Sequence, residues 1–323
     1  TEYRWRNDDG GIGVPNDEWF DDSFDYRQQL RVANNAAETY TDAVVSVTIP
    51  YDSDMQSDFS DLRFATDDGV TLTDHYVERQ SAGSEAEVWV LVPSLVANET
   101  STLFVYYGSS TAPSTSSSTA VFGAVDSFED NNLTEYSGNV AQFDTNTTRS
   151  YGGSYSVSAD NPNDFTADGI ARFDQTVSQG ETIRSKLYVD AASGDSDEVC
   201  TLFGVQSPVG NNENYGVCII QFGTERVSLA RDVERNDTFG GVTRLASSTY
   251  NFTTSGWYDI EVDWETDNSM FARVFDPSGT LVATTSATDS TYTSGGYGFT
   301  YWSNYGAWDD FHARPILDAV PTT

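Results

Sequence analysis

The chain has 323 residues, of which 50 are acidic and 16 basic; its net charge is −34 at pH 7, and Lys186 is the single lysine. A hydrophobic share of 38% and an aromatic share of 13% exclude a disordered polymer and suffice for two domains with separate cores. The charge excludes nucleic acid and anionic membrane surfaces as partners, and no apolar run is long enough for direct membrane insertion as a helix.

In chain order, the first element is "TEYRWR", which alternates like a strand with Tyr3 and Trp5 on one face and Arg4 and Arg6 on the other. The run that follows it is too long and irregular for a tight hairpin, so residues 1–18 are predicted to be an N-terminal strand extension whose partner lies elsewhere. Six strand-like runs come next: "FDYRQQLRV", "DAVVSVTIP", "DLRFAT", "VTLTDHYVER", "AEVWVLVP" and "STLFVYYG". Asp68–Gly69 supplies a hairpin turn signal, and residues 19–110 read as a small β-sandwich. Residues 111–122 fall in a Ser/Thr/Pro run and are predicted to be a linker.

Nine further runs follow, from "RSKLYVD" to "DDFHARPI", with "DPSG" as a tight turn between two of them. They predict a larger sandwich over 123–316 and a tail over 317–323. No long stretch carries a 3.6-residue period, so the fold class is all-β: two consecutive β-sandwiches, the first Ig-like or jelly-roll-like, preceded by a strand extension.

Two resemblances refine this. The blocks "WFDDSFDYRQQLRV", "SDLRFATDDGVTL", "AEVWVLVPSL" and "TLFVYYG" resemble, in order and spacing, a small domain of unknown function from secreted archaeal and bacterial proteins, which implies no catalytic residue. The later order "DSFEDNNL", "SYGGSYSV", "GWYDIEVDW", "FDPSGTLV", "GGYGFTYW" and "WDDFHAR" resembles a concanavalin A or laminin G type jelly roll, a fold that hosts lectins, glycosidases, adhesive modules and spacers. In such jelly rolls, acids of the first and last strands meet around Ca2+. The resemblance therefore implies a structural calcium site at Glu129, Asp130 and Asp310, with hard oxygen ligands.

The chemical inventory is otherwise thin. His75 and His312 are the only histidines, and neither stands in a nucleophile-elbow or HExxH pattern. Asp259, Glu261 and Asp263 alternate onto one strand face; they read either as paired glycosidase acids or as a solvated face opposite Tyr258, Ile260, Val262 and Trp264. The aromatic cluster Tyr301, Trp302, Tyr305 and Trp308 is a candidate glycan platform, with core packing as the competing use. Sequons at Asn98, Asn132, Asn146, Asn236 and Asn251 are candidate glycosylation sites. Cys200 and Cys218, in neighbouring runs, are either a cross-strand disulfide or two buried thiols.

The expected function is a secreted, halophilic subunit of a surface filament, in which "TEYRWR" pairs with a sheet edge of the next copy by donor-strand exchange. The alternative is a glycan-binding adhesin or a virion surface protein; a glycan-active enzyme ranks last. The expected partners are copies of the chain itself and surface glycans, and the expected setting is the surface of a haloarchaeal cell or its virus. The charge generates a direct prediction, because at 1 M salt the screening length falls to about 3 Å and self-repulsion fades. The thermal unfolding midpoint is expected to rise by many degrees between dilute buffer and molar KCl, and calorimetry across that range checks it.

Overall fold

The computed structural model describes residues 19–159, 167–191, 198–207, 212–221, 223–233, 242–302 and 306–317. Two compact units divide the chain between Phe122 and Gly123, and the chain returns to the first unit at Leu317. Among the described residues no helix is long and apolar enough to cross a membrane.

The first unit contains β1 (Tyr26–Ala33), β2 (Tyr40–Pro50), β3 (Arg63–Ala65), β4 (Leu72–Thr73), β5 (His75–Ser81), β6 (Glu85–Leu95) and β7 (Thr100–Tyr107). They form a four-stranded sheet in the order β1-β7-β3-β4 and a three-stranded sheet in the order β2-β6-β5. Period-two alternation places the core: Ala43, Val45, Val47 and Ile49 of β2 are buried with Val88, Val90 and Val92 of β6, while Ser46 and Thr48 are exposed. The run "VTLTDHYVER", predicted to be one strand, is instead two. The chain changes sheets at Asp74, so β4 pairs with β3 and β5 pairs with β6. The Asp68–Gly69 turn is present. Gly69 takes φ 75°, and the Asp68 carboxylate accepts from the backbone of Val70 and Thr71 and from both threonine hydroxyls, Thr66 and Thr71.

The Ser/Thr/Pro run is bound along this unit rather than spanning free of it. Pro113 accepts from Arg63, Ser116 and Ser117 bond the backbone of Val77 and His75, and the short helix α1 (Ser118–Val121) leads into Phe122, which packs on Trp89 at 5.7 Å. These contacts cover one side of β5. A second aromatic cluster lies on the opposite face of β7, where Trp19 and Phe20 pack against Tyr106 at 5.2 and 4.8 Å.

The second unit begins with β8 (Ala124–Asp126), β9 (Tyr136–Gly138), β10 (Phe143–Asn146), β11 (Ser156–Ala159) and β12 (Ala167–Ser178). Next come β13 (Glu181–Val189), β14 (Glu198–Val205), β15 (Tyr215–Ile220), β16 (Arg226–Arg231) and β17 (Thr243–Thr249). The unit ends with β18 (Gly256–Trp264), β19 (Ser269–Phe275), β20 (Leu281–Thr288), β21 (Ser294–Trp302) and β22 (Ala307–Pro315). One sheet runs β10-β11-β22-β13-β18-β19-β20, with β8 also on β22, and the other runs β17-β16-β15-β14-β21-β12-β9. Their facing sides enclose one aromatic-rich core in which Tyr297 stacks on Phe311 at 3.8 Å and Trp264 packs on Phe203 at 5.3 Å. Ser185 and Thr201 share a buried hydroxyl hydrogen bond of 2.6 Å between β13 and β14, which satisfies two polar groups inside that core. Cys200 and Cys218 are register partners on β14 and β15 and form a disulfide, with Sγ–Sγ 2.05 Å.

His75 of β5 lies under Phe64, ring to ring at 5.0 Å, and burial together with the Arg63 charge lowers its pKa to about 4. The unfolded chain takes up this proton near pH 6.5, the folded unit only near 4, so the unit is most stable above about 6.5 and loses stability as pH falls below it. The other shifted groups of this unit titrate outside that window: Asp21, Asp58, Asp68 and Arg63 are lowered, each from its own ordinary range, and Tyr26 and Tyr107 are raised. Urea unfolding of the first unit is expected to lose on the order of 1–2 kcal/mol between pH 7 and 5, and His75→Gln is expected to flatten that dependence.

Candidate functional site

On β18, Tyr258, Ile260, Val262 and Trp264 enter the core, so Trp257, Asp259, Glu261 and Asp263 stand on the opposite face of the sheet. The same parity on β13 turns Ile183, Leu187 and Val189 inward and Thr182, Arg184, Lys186 and Tyr188 outward. Antiparallel register sets Lys186 opposite Asp259, Arg184 opposite Glu261 and Tyr188 opposite Trp257. On the far sides of these strands, β22 brings His312 beside Arg184 and β19 brings Arg273 beside Glu261.

The three acids are therefore neither a solvated face nor a free glycosidase pair. Asp259 accepts from Arg184 at 2.6 Å and from Lys186 at 2.9 Å. Glu261 lies 3.3 Å from Arg273 and 3.4 Å from Arg314, and Asp263 pairs with Arg273 at 2.6 Å while accepting from the Thr182 hydroxyl at 2.7 Å. Burial pushes the Asp259 carboxyl up, but the charges and hydrogen bonds of Arg184 and Lys186 outweigh it and hold the group low, at about 2. His312 is driven the other way, well below its usual range, by burial and by the neighbouring charges of Arg184, Arg314 and Lys186. It is a neutral imidazole in the folded chain.

One end of this face is aromatic. Tyr151, from the loop between β10 and β11, sits over Lys186 with the ammonium 4.1 Å from the ring centroid, and Arg149 lies over the Tyr188 ring at 4.5 Å. Trp257 packs edge-on against both rings, at 6.4 Å from Tyr151 and 5.5 Å from Tyr188. All three rings are half-buried. The loop is tied down by carboxylates: Asp309 accepts from the Tyr151 amide at 2.6 Å, and Glu129 accepts from the amides of Ser154 and Tyr155 at 2.7–2.8 Å. Gly153, at φ 51°, gives Glu129 its place, since a side chain there would collide with the carboxylate. Burial pushes Asp309 well above the carboxylate range.

The predicted calcium acids are brought to one end of the sandwich, because β8 pairs with β22 next to "SFED". Glu129 is engaged by loop amides, Asp130 bonds the backbone and side chain of Asn132, and Asp310 is buried in a left-handed bulge of β22. Among the described residues, the single group of three metal-ligating side chains within 4.8 Å of one another is Glu198, Cys200 and Cys218, and its sulfurs are consumed by the disulfide.

The predicted glycan platform is also divided. Tyr301 and Trp308 are core residues at 1% and 0% exposure, both packed on Phe143. Strand parity explains this, as Tyr301 continues the inward series Tyr297, Phe299. Trp302 is half-buried, and Tyr305 lies outside the described residues. So do Tyr3, Arg4, Trp5 and Arg6 of the assembly strand, and the sequon Asn236. Asn98 and Asn251 are exposed; Asn132 and Asn146 are half-buried and hydrogen-bonded, to Asp130 and Ser158. The Arg184, Lys186, Tyr188 row was not singled out in the sequence, although its signal was present: the one lysine of the chain alternates with an arginine and a tyrosine.

A family described as "Domain of unknown function (DUF2341)" matches residues 58–141, about a quarter of the chain. The match starts later than the resemblance at 19–110 and runs into the second unit. No curated protein matches. Among solved structures, the globular domain of T. cruzi calreticulin is similar with a TM-score of 0.42 at 10% identity, covering 61% of this chain and 88% of that one. A legume lectin-like domain from Entamoeba histolytica gives 0.39 at 9% identity, with 55% and 91% covered. A GH43 glycoside hydrolase gives 0.40 at 12% identity and 76% of this chain, which spans about half, 52%, of that protein.

Asp259 is the keystone of the face, since Arg184 and Lys186 are only 8% and 7% exposed and both bond to it. Asp259→Asn is expected to destabilise the second unit by about 3 kcal/mol, the cost of leaving buried charges without their partner; chemical denaturation checks it.

Proposed function

We propose that the chain is an extracellular carbohydrate-binding protein whose second unit takes a glycan on the outer face of the sheet that carries Trp257. The observation that supports this is the half-buried ring triad Tyr151, Tyr188 and Trp257 set among Lys186, Arg149, Asp259 and Asp190. A pyranose presents an apolar C–H face inside a rim of hydroxyls. Its site needs flat rings for the first and fixed donors and acceptors for the second. Both are adjacent here, Tyr188 and Trp257 on strands and Tyr151 on the clasped loop beside them, and the cation–ring contacts hold the Tyr151 and Tyr188 rings in place before a ligand arrives.

Asp259, the acid that holds Lys186 beneath the Tyr151 ring, is kept ionised by two cations and so serves as a fixed acceptor rather than a proton donor. The strand on which the filament expectation rests, Tyr3 to Arg6, lies outside the described residues, and the ring face favours the glycan-binding alternative. The disulfide fits an oxidising, extracellular setting. The test is affinity electrophoresis of the full chain through gels containing neutral and acidic polysaccharides in molar KCl. Retardation by at least one polysaccharide is expected, and Trp257→Ala is expected to weaken it about tenfold, about 1.4 kcal/mol. Migration unaffected by every polysaccharide would contradict the proposal.

A further inference from the structure

We propose that the glycan seated on the ring triad is an extended chain of several sugars and that Phe271 of β19 is its second platform; this rests on the glycan-binding proposal above. Strand parity puts both platforms on one surface. Met270, Ala272 and Val274 of β19 enter the core, so Phe271, Arg273 and Phe275 stand on the face that carries Trp257. Register sets Phe275 opposite Asp259 and Phe271 opposite Asp263. Trp257 and Asp263 lie six residues apart on β18, about 20 Å at about 3.4 Å per residue, and one strand spacing of about 4.8 Å separates Asp263 from Phe271. A single sugar ring cannot bridge that span, whereas a chain laid along β18 can.

Phe271 is 40% exposed. An exposed apolar side chain standing alone needs no explanation, but this one belongs to a set. Phe275 is on the same face, and its register partner Leu281 is 48% exposed. The Arg273 guanidinium carbon lies 5.4 Å from the Phe271 ring centroid, and its nitrogens bond Asp263 at 2.6 and 2.9 Å, so the ring has a fixed cation beside it. Between Trp257 and Phe271 runs the ion-paired row Asp259, Glu261 and Asp263, each 16–17% exposed. Rings at both ends of a charged row favour a sugar chain over a protein partner. A protein surface closing on this face would strip the remaining water from the ion pairs. Sugar hydroxyls instead replace that water, because each carboxylate offers about four acceptor positions.

The test is calorimetric titration of the full chain in 1 M KCl, where long-range repulsion is screened to about 3 Å. The probes are linear 1,4-linked trisaccharides and hexasaccharides of glucose, mannose, xylose and galacturonic acid. A trisaccharide seated on the triad ends short of Phe271 and a hexasaccharide reaches it, so at least one hexasaccharide is expected to bind about tenfold tighter than its trisaccharide. Phe271→Ala, with an unchanged unfolding midpoint, is expected to remove that gain and leave trisaccharide binding as it was, while Phe271→Tyr, which keeps a flat ring, is expected to keep the gain. Hexasaccharides binding no tighter than trisaccharides would overturn the extended chain, assign Phe271 to another occupant and leave glycan binding standing. A length gain that survives Phe271→Ala would overturn the role of Phe271, and failure of every oligosaccharide to bind would overturn both proposals.

Discussion

The carboxylate of Asp259 is the contact on which the candidate site depends. It holds Arg184 and Lys186 on a sheet face where both are buried, and Lys186 in turn lies under the Tyr151 ring. A buried ion pair seldom adds much net stability, because desolvation cancels most of the attraction. Its effect here is positional: Asp259 holds both cations on the sheet face, and Lys186 in turn seats the Tyr151 ring. In a chain of −34, one lysine and three arginines gathered on a single face mark that face as different from the rest of the surface.

A second constraint is the way the second sandwich closes. Its first strand, β8, pairs with its last, β22, and the loop from 151 to 155 is clasped by Asp309 from one side of the sequence and Glu129 from the other. That clasp positions Tyr151. Closure and site thus share residues, so changes at Glu129 or Asp309 act on the rings as well as on stability.

Much of the architecture was legible in the sequence, because alternation in runs such as "DAVVSVTIP" and "WYDIEVDW" fixes both the strand and its buried face. The turns at Asp68–Gly69 and at "DPSG" were legible for the same local reason, the backbone needs of glycine and the capping habit of aspartate. What was not legible was long-range. The split of "VTLTDHYVER" between two sheets depends on which strand each half meets, and short strands such as β9 and β17 carry weak patterns that only their neighbours complete. The site followed the same rule. Rings near the chain end looked available because parity against an unknown sheet cannot be read, and Tyr301 and Trp308 are core. The face that gathers the cations required the register of β13, the β18–β19 hairpin and β22, three segments far apart in sequence.

Hydrogen exchange of the full chain in molar KCl, with and without millimolar trisaccharides, tests the central claim most directly, because it locates a ligand without assuming where it sits. Glycan binding on this face requires slowed exchange in the loop 149–155 and at the start of β18 around Trp257, with the first unit unchanged. Slowed exchange confined to other segments, such as the end of β21 at Trp302, would place the ligand elsewhere and contradict the account.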